Sequence, residues 1–499
     1  MIKMEKFSTW FIAFIEKLFK HFIEFFGGFF QLLYRVFVDN LMMYFNDYYE
    51  ASQTFTLIDW ILSFIAILLM VLLVTGFGII VFQLFRKYVR FLKNQYEKEA
   101  LIEEIDSLKY QVNYLLDEKH AMMSLSQENF DTTVESEVLG RFTRLKLIDE
   151  KYQYKPLIVP ALKEPISLSE LVDRFINFSA SQLNLYYTRK VVSVFFAGMA
   201  SSQTLVLEGI SGTGKTSLPY AMGKFFKNDA SIISVQPSWR DRSEMMGFLN
   251  EFTKKFNETD FLESLYEASF RNDVDIIVLD EMNLARVEYY FADFLSILEM
   301  PNPEEWVLGI VPNEVENDPI HLKKGKLKIP RNVWFVGTAN RDDSTYAITD
   351  KVYDRVASIE MNEKSTPIDA PYTEGIQMPY DALKRLFKDA LTTNQVNEDL
   401  LYRLETLDQF IVDNFQIAFG NRITKQIQNF IPVYVACGMD QVDGLDYLIA
   451  RKVIRKFESL NLPFLKRELE ELIDMLNQLF GEDGFKYSKK MIQDFLKRV

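Results

Sequence analysis

Residues Thr204–Ser217 read TLVLEGISGTGKTS, and a helical pattern follows them. TLVLE is a short apolar run of strand character. GISGTGKTS then places G-x-x-x-x-G-K-[ST] between a strand and a helix, the context that marks a phosphate-binding loop. Gly209, Gly212 and Gly214 let the backbone bend so that successive N–H groups face phosphate oxygens. The following helix adds the positive end of its dipole. Lys215 reaches the β- and γ-phosphates, and the Thr216 hydroxyl faces Mg²⁺. The expected nucleotide-binding residues are therefore Gly209, Ser211, Gly212, Thr213, Gly214, Lys215, Thr216 and Ser217.

Outward from that loop, the other half of such a site is an apolar strand that ends in acids. Asp275–Asn283, DIIVLDEMN, supplies it. Asp280 is expected in the Mg²⁺ shell, and Glu281 as the general base that polarises the attacking water. An Asp-Glu pair alone is common on surfaces; one that follows four apolar residues about 65 positions beyond a phosphate loop is not. A third strand begins at Val333, and Asn340 follows it with an amide able to position that water. Arg355, in ITDKVYDRVASIEM, stands where a cation could cross a subunit boundary and meet a neighbour's γ-phosphate. From the residue alone, a surface arginine is the stronger reading.

The order phosphate loop, DE-ending strand, Asn-bearing strand, downstream arginine resembles the AAA+ ATPases. Val235–Asn250, VQPSWRDRSEMMGFLN, is similar to a stretch of the McrB and MoxR branch of that family. Leu279–Glu299 and GTANRDDS resemble McrB segments, and Arg422 in FGNR is placed like a sensor-2 arginine in a helical lid. The resemblance covers roughly residues 165 to 460. It implies that Asn340 is sensor 1, Arg355 the arginine finger and Arg422 sensor 2, with Glu281, Asn340, Arg355 and Arg422 as the catalytic set. Arg286 is the candidate for a second cation. It also implies Mg²⁺ with ATP or GTP, a homo-oligomeric ring (a hexamer), and a partner such as a McrC-like nuclease in phage defence. A MoxR-like chaperone that remodels a membrane complex and a nucleotide-gated membrane scaffold are the rival functions. Branch members carry an inserted β-hairpin, for which Pro-rich residues 301–332 are the expected place.

The fold implied is α/β: a P-loop AAA+ doubly wound parallel sheet with a C-terminal helical lid. Strands near 204–208, 232–236, 275–279, 333–338 and 357–361 alternate with helices. Both faces of the sheet are covered, and ligand binds at the carboxyl ends of the strands.

The N-terminal hundred residues differ in composition, holding much of the chain's 43 Phe. Trp60–Phe82 carries no charge, and 23 residues would span roughly 34 Å, enough for a bilayer core. Arg86, Lys87, Arg90 and Lys93 follow it, whereas Asp39, Asp47, Glu50 and Asp59 precede it. That asymmetry predicts a membrane anchor with the C-terminal bulk in the cytoplasm. Lys6–Asp39 reads as a broad-faced amphipathic helix, which lies on the membrane, crosses it, or packs on its own copies. Leu101, Ile105, Leu108, Val112 and Leu115 form a heptad seam. The expected divisions are an amphipathic segment (1–55), a transmembrane helix (56–90), a coiled-coil stalk (91–125), a linker (126–165), the NTPase domain (166–370) and the lid with a helical extension (371–499).

The remaining composition narrows the function. A net charge of −14 opposes a general DNA-binding surface, leaving direct nucleic-acid contact to a local basic pore. A single cysteine, Cys437, and three dispersed histidines oppose a disulfide or a Cys/His zinc site.

Overall fold

The computed structural model describes residues 40–56, 58–65 and 140–497, except 163, 341–344 and 363–364, together with residues 17, 68 and 86. The chain divides into two compact units, Met1–Phe130 and Asp131–Val499.

In the first unit the helix Asn40–Ser52 is followed by a turn and by helical residues 58–65. Asp59 fixes the start of the second helical stretch: its Oδ2 accepts from the Thr56 N–H at 2.9 Å and from the Thr56 hydroxyl at 2.6 Å. Tyr48 reaches across the turn, sharing a 2.7 Å hydrogen bond with the Ser63 hydroxyl. Among the described residues no helix is long and apolar enough to cross a membrane. That corrects the expected membrane localisation. Of the apolar run 60–82, the described residues are 60–65 and 68, all of them helical. The rest of that run apart from residue 68, the amphipathic stretch 6–39 apart from residue 17, and the heptad seam 101–115 lie outside the described residues.

The second unit is built on a parallel five-stranded sheet: β1 (Thr204–Gly209), β2 (Ser231–Ser234), β3 (Asp275–Asp280), β4 (Val333–Asn340) and β5 (Ala357–Glu360), in the spatial order β5-β1-β4-β3-β2. Each strand lies within a few residues of its expected place. Side chains alternate across the sheet. Leu205, Leu207, Ile276, Val278, Trp334 and Val336 pack into one core with the helices Leu168–Leu183, Arg189–Ser201 and Ser217–Phe225. Val206, Ile277, Leu279, Val333 and Phe335 pack into the other with the helix Asp260–Ala268 and Phe291 and Phe294. Burial on both faces explains why the strands read as continuous apolar runs.

Two small antiparallel elements interrupt the α/β alternation. Gly247–Leu249 pairs with Phe256–Glu258, a hairpin the sequence did not announce. Residues 301–332 hold three short strands, Val307–Gly309, Leu322–Lys323 and Lys326–Lys328, within the stretch expected to carry an insertion. From Tyr380 onward the described residues are helical, with six α-helices between Tyr380 and Leu496.

The C-terminal helices are tied to the sheet by buried charge. Arg451, at the end of the helix Gln441–Lys452, ion-pairs with Glu208 on β1, and both are fully buried. Glu208 also accepts from the Tyr353 hydroxyl at 2.7 Å. Lys452 donates to the carbonyls of Tyr353 and Val356 on either side of Arg355.

Candidate functional site

β1 runs directly into the loop Gly209–Thr216, which feeds the helix Ser217–Phe225. Gly209, Gly212 and Gly214 all have positive φ, at 148°, 80° and 88°. At Gly209 space also forbids a side chain, since a Cβ would stand 2.3 Å from the Met361 carbonyl oxygen. Gly212 has open space, so the left-handed backbone alone requires glycine there. The Lys215 ammonium is buried and donates to the carbonyls of Gly209 at 3.1 Å and Ile210 at 2.8 Å. Those bonds hold the lysine inside the curl of the loop, at the dipole's positive end.

The acids arrive from β3. Thr216 Oγ1 donates to Asp280 Oδ1 at 2.7 Å, and Thr338 Oγ1 on β4 lies 2.7 Å from the same oxygen. Thr338 Oγ1 also accepts from the Glu281 N–H at 2.8 Å. The Glu281 backbone is left-handed, with φ 53° and ψ 46°, and its side chain is exposed. The turn after β3 therefore aims the two carboxylates differently: Asp280 toward the loop's hydroxyl, Glu281 outward. Register places Asn340, the last residue of β4, opposite Gly209, the first of the loop. Its Nδ2 lies 3.5 Å from Glu281 Oε1.

Asn283 fixes that last residue. It is buried, donates through Nδ2 to the Asn340 carbonyl at 2.8 Å, and accepts at Oδ1 from the Asn340 N–H at 3.3 Å. Gly337 lets β4 pass beneath the same turn, because a Cβ there would stand 1.9 Å from Met282 Sδ. Sequence reasoning did not single out Thr338, Asn283 or Gly337. The available signals were the Asn after the acids in DEMN and the small residues of GTAN.

Lys215, Thr216, Asp280, Glu281 and Asn340 thus gather at the carboxyl ends of β1, β3 and β4. Arg355 and Arg422 do not. Arg355 precedes β5, and its carbonyl accepts from Ser202 Oγ, just ahead of β1, at 3.2 Å. The six residues of β1 separate that end of the sheet from the loop, about 20 Å. Arg422, from the helix Gly420–Ala436, shares the carboxylate of Glu299 with Arg355. Arg286 lies over the rings of Tyr289 and Tyr346 at 5.7 and 5.3 Å.

The donor set fits a nucleotide with Mg²⁺. Among the described residues no group of three or more His, Cys, Asp or Glu is placed to hold a metal. Mg²⁺ suits such a place, because it takes one or two carboxylates and completes its shell from phosphates and water. Thr216 and Asp280 are the residues to hold it. Beside Thr213 a cavity of about 190 Å³ is walled by Tyr187, Thr188, Met361 and Tyr447, among others. The Tyr187 hydroxyl is buried without a hydrogen-bond partner among the described residues, and burial pushes its pKa up. The cavity's wall mixes apolar and aromatic side chains with polar ones, Lys190, Glu360, Asn362 and Ser365 among them, a combination that suits a base-binding slot.

No protein-family model and no curated protein matches the chain. Among solved structures, a "putative ATPase" from Cytophaga hutchinsonii is similar at 11% identity with a TM-score of 0.41, covering 67% of this chain and 96% of that one. A likeness at that score adds nothing to the geometry above.

Proposed function

We propose that this chain is a Mg²⁺-dependent P-loop nucleoside triphosphatase of the AAA+ type, in the McrB-like branch, that hydrolyses ATP or GTP at the carboxyl ends of β1, β3 and β4. One observation carries the reading: two carboxylates on one strand end, Asp280 gripped by hydroxyls from the phosphate loop and from β4, and Glu281 turned outward beside Asn340.

The loop's N–H groups and Lys215 bind and orient the polyphosphate, the lysine exchanging its two carbonyl partners for phosphate oxygens. Bound Mg²⁺ would neutralise charge developing on the transferred phosphoryl. Thr216 and Asp280 would hold it. Glu281 accepts the proton of the attacking water, and the Asn340 amide, 3.5 Å away, holds that water in line. Arg355 lies a strand length from its own loop, so it can serve only a nucleotide bound by another copy. That geometry favours a ring with shared sites, for which the branch resemblance suggests six copies. Turnover would then reshape the ring and drive a partner effector, with a McrC-like nuclease as the first candidate.

The test is a pair of variants of the full chain. Lys215→Ala is expected to lose binding of fluorescent ATP and GTP analogues. Glu281→Gln is expected to bind them as the wild type does while phosphate release falls at least about 100-fold, the usual reach of a general base. Wild-type turnover by Glu281→Gln would remove the glutamate from the chemistry and the reading with it.

A further inference from the structure

Glu299 occupies both arginines at once. It follows the helix Ala292–Ile297. Its Oε1 lies 2.7 Å from Arg422 Nε, and its Oε2 lies 3.3 Å from Arg355 Nε. Arg422 Nη2 donates to Oε2 at 3.1 Å, and Arg355 Nη1 donates to Ser296 Oγ at 3.2 Å. The surrounding cleft, about 690 Å³, also carries Arg331, Lys384 and Lys425, and Glu299 is the one acid on its wall among the described residues. Arg331 is already paired, through Nη2, with Glu304 outside that wall; the other four cations still face one carboxylate, which makes a receptor for an anion of higher charge. The three ion-pair partners are between 29% and 48% exposed, so their bonds are weak, screened by salt and readily exchanged.

We propose that Glu299 is a latch that stands in for phosphate: it holds Arg355 and Arg422 together in one cleft, and the polyphosphate of a nucleotide bound by a second copy of this chain displaces it on assembly. The inference rests on the shared-site reading above. Chemistry supports the exchange. Two guanidiniums brought to one cleft repel, and a single carboxylate offsets that repulsion while the subunit is alone. A terminal phosphate presents more charge and three oxygens to the same planar forks, so it wins the competition once a neighbour delivers it. Glu299 therefore keeps the arginines arranged and makes their use conditional on a partner that carries nucleotide. Arg422 acts in this scheme beside Arg355, on the neighbour's nucleotide.

Glu299→Gln keeps the side chain's size and removes its charge. In the full chain, with saturating Mg²⁺ and whichever of ATP or GTP the wild type binds, sedimentation velocity gives the protein concentration at half-assembly. The substitution is expected to lower that concentration about two- to fivefold, the scale of an exposed ion pair. The gap should narrow at high salt, and self-association without nucleotide should stay unchanged. Glu299→Ala should shift in the same direction. A half-assembly concentration equal to or above the wild type's in both variants overturns the latch, because Glu299 then only organises the arginines. A wild type that binds no nucleotide, measured first in the same samples, overturns the underlying reading and the latch together; binding with an unshifted midpoint overturns the latch alone.

Discussion

Glu281 sits in a conformation that L-residues adopt at a cost of about 1–2 kcal/mol, and its surroundings hold it there. Its N–H donates to Thr338 Oγ1, and that oxygen lies 2.7 Å from Asp280. One hydroxyl on the neighbouring strand thus sets the positions of both carboxylates. Thr338→Val removes it at nearly constant volume. The expected outcome is retained nucleotide binding with turnover reduced about 10- to 100-fold, since a hydrogen bond to a charged group is worth about 1.5–3 kcal/mol. Steady-state phosphate release beside an equilibrium binding curve checks it, and equal losses in both would contradict the assignment. The glycines, Lys215, Thr216, Asp280 and Glu281 were legible in the sequence because their pattern is local to one loop or one strand end. Thr338, Asn283 and Glu299 were not. Each matters through a residue 57 to 123 positions away, and only the folding of the chain makes those contacts.

At the scale of elements, the strands were legible because burial on both faces leaves runs such as IIVL and VWFV with no other stable place. Their order was not, because β4 enters between β1 and β3 through contacts that no local pattern encodes. That insertion is what carries Asn340 to the lip of the phosphate loop. Two buried carboxylates make the strands' energetics testable. Removing Glu208 leaves Arg451 buried with the Glu360 carboxylate 3.7 Å away. Glu208→Ala should therefore cost about 3–5 kcal/mol in a urea unfolding curve, and a loss below about 1 kcal/mol would mean that the pair does not fasten the C-terminal helices. Asp275 opens β3, and burial pushes its carboxyl from 3.8 up to about 7. The folded state then holds a proton that the unfolded chain has released between those values. Stability falls as pH rises through that window, and the penalty is complete above about 7. Asp275→Asn removes the titration. Its stability advantage over the wild type should be larger at pH 8 than at pH 5, reaching at most about 4 kcal/mol. An advantage that does not change with pH would contradict the assignment.

At the scale of the whole molecule, chemistry and cation stand at opposite ends of one sheet. Lys215 and Glu281 lie beyond the carboxyl ends of the strands, whereas Arg355 lies beside the amino end of β1. No rotation of one side chain spans the length of β1, so under the proposed shared site the arginine comes from a second copy of the chain. The sequence resemblance named Arg355 as a finger, but its separation from its own loop follows only from the parallel register of β1 and β5. The measurement that tests this most directly mixes two inactive proteins. Lys215→Ala keeps the arginine and loses the nucleotide; Arg355→Ala keeps the nucleotide and loses the arginine. Titrating one into the other at fixed total protein should restore phosphate release, with a maximum at intermediate ratios where mixed interfaces are commonest. Release that stays at the level of the separate variants at every ratio would contradict the shared site.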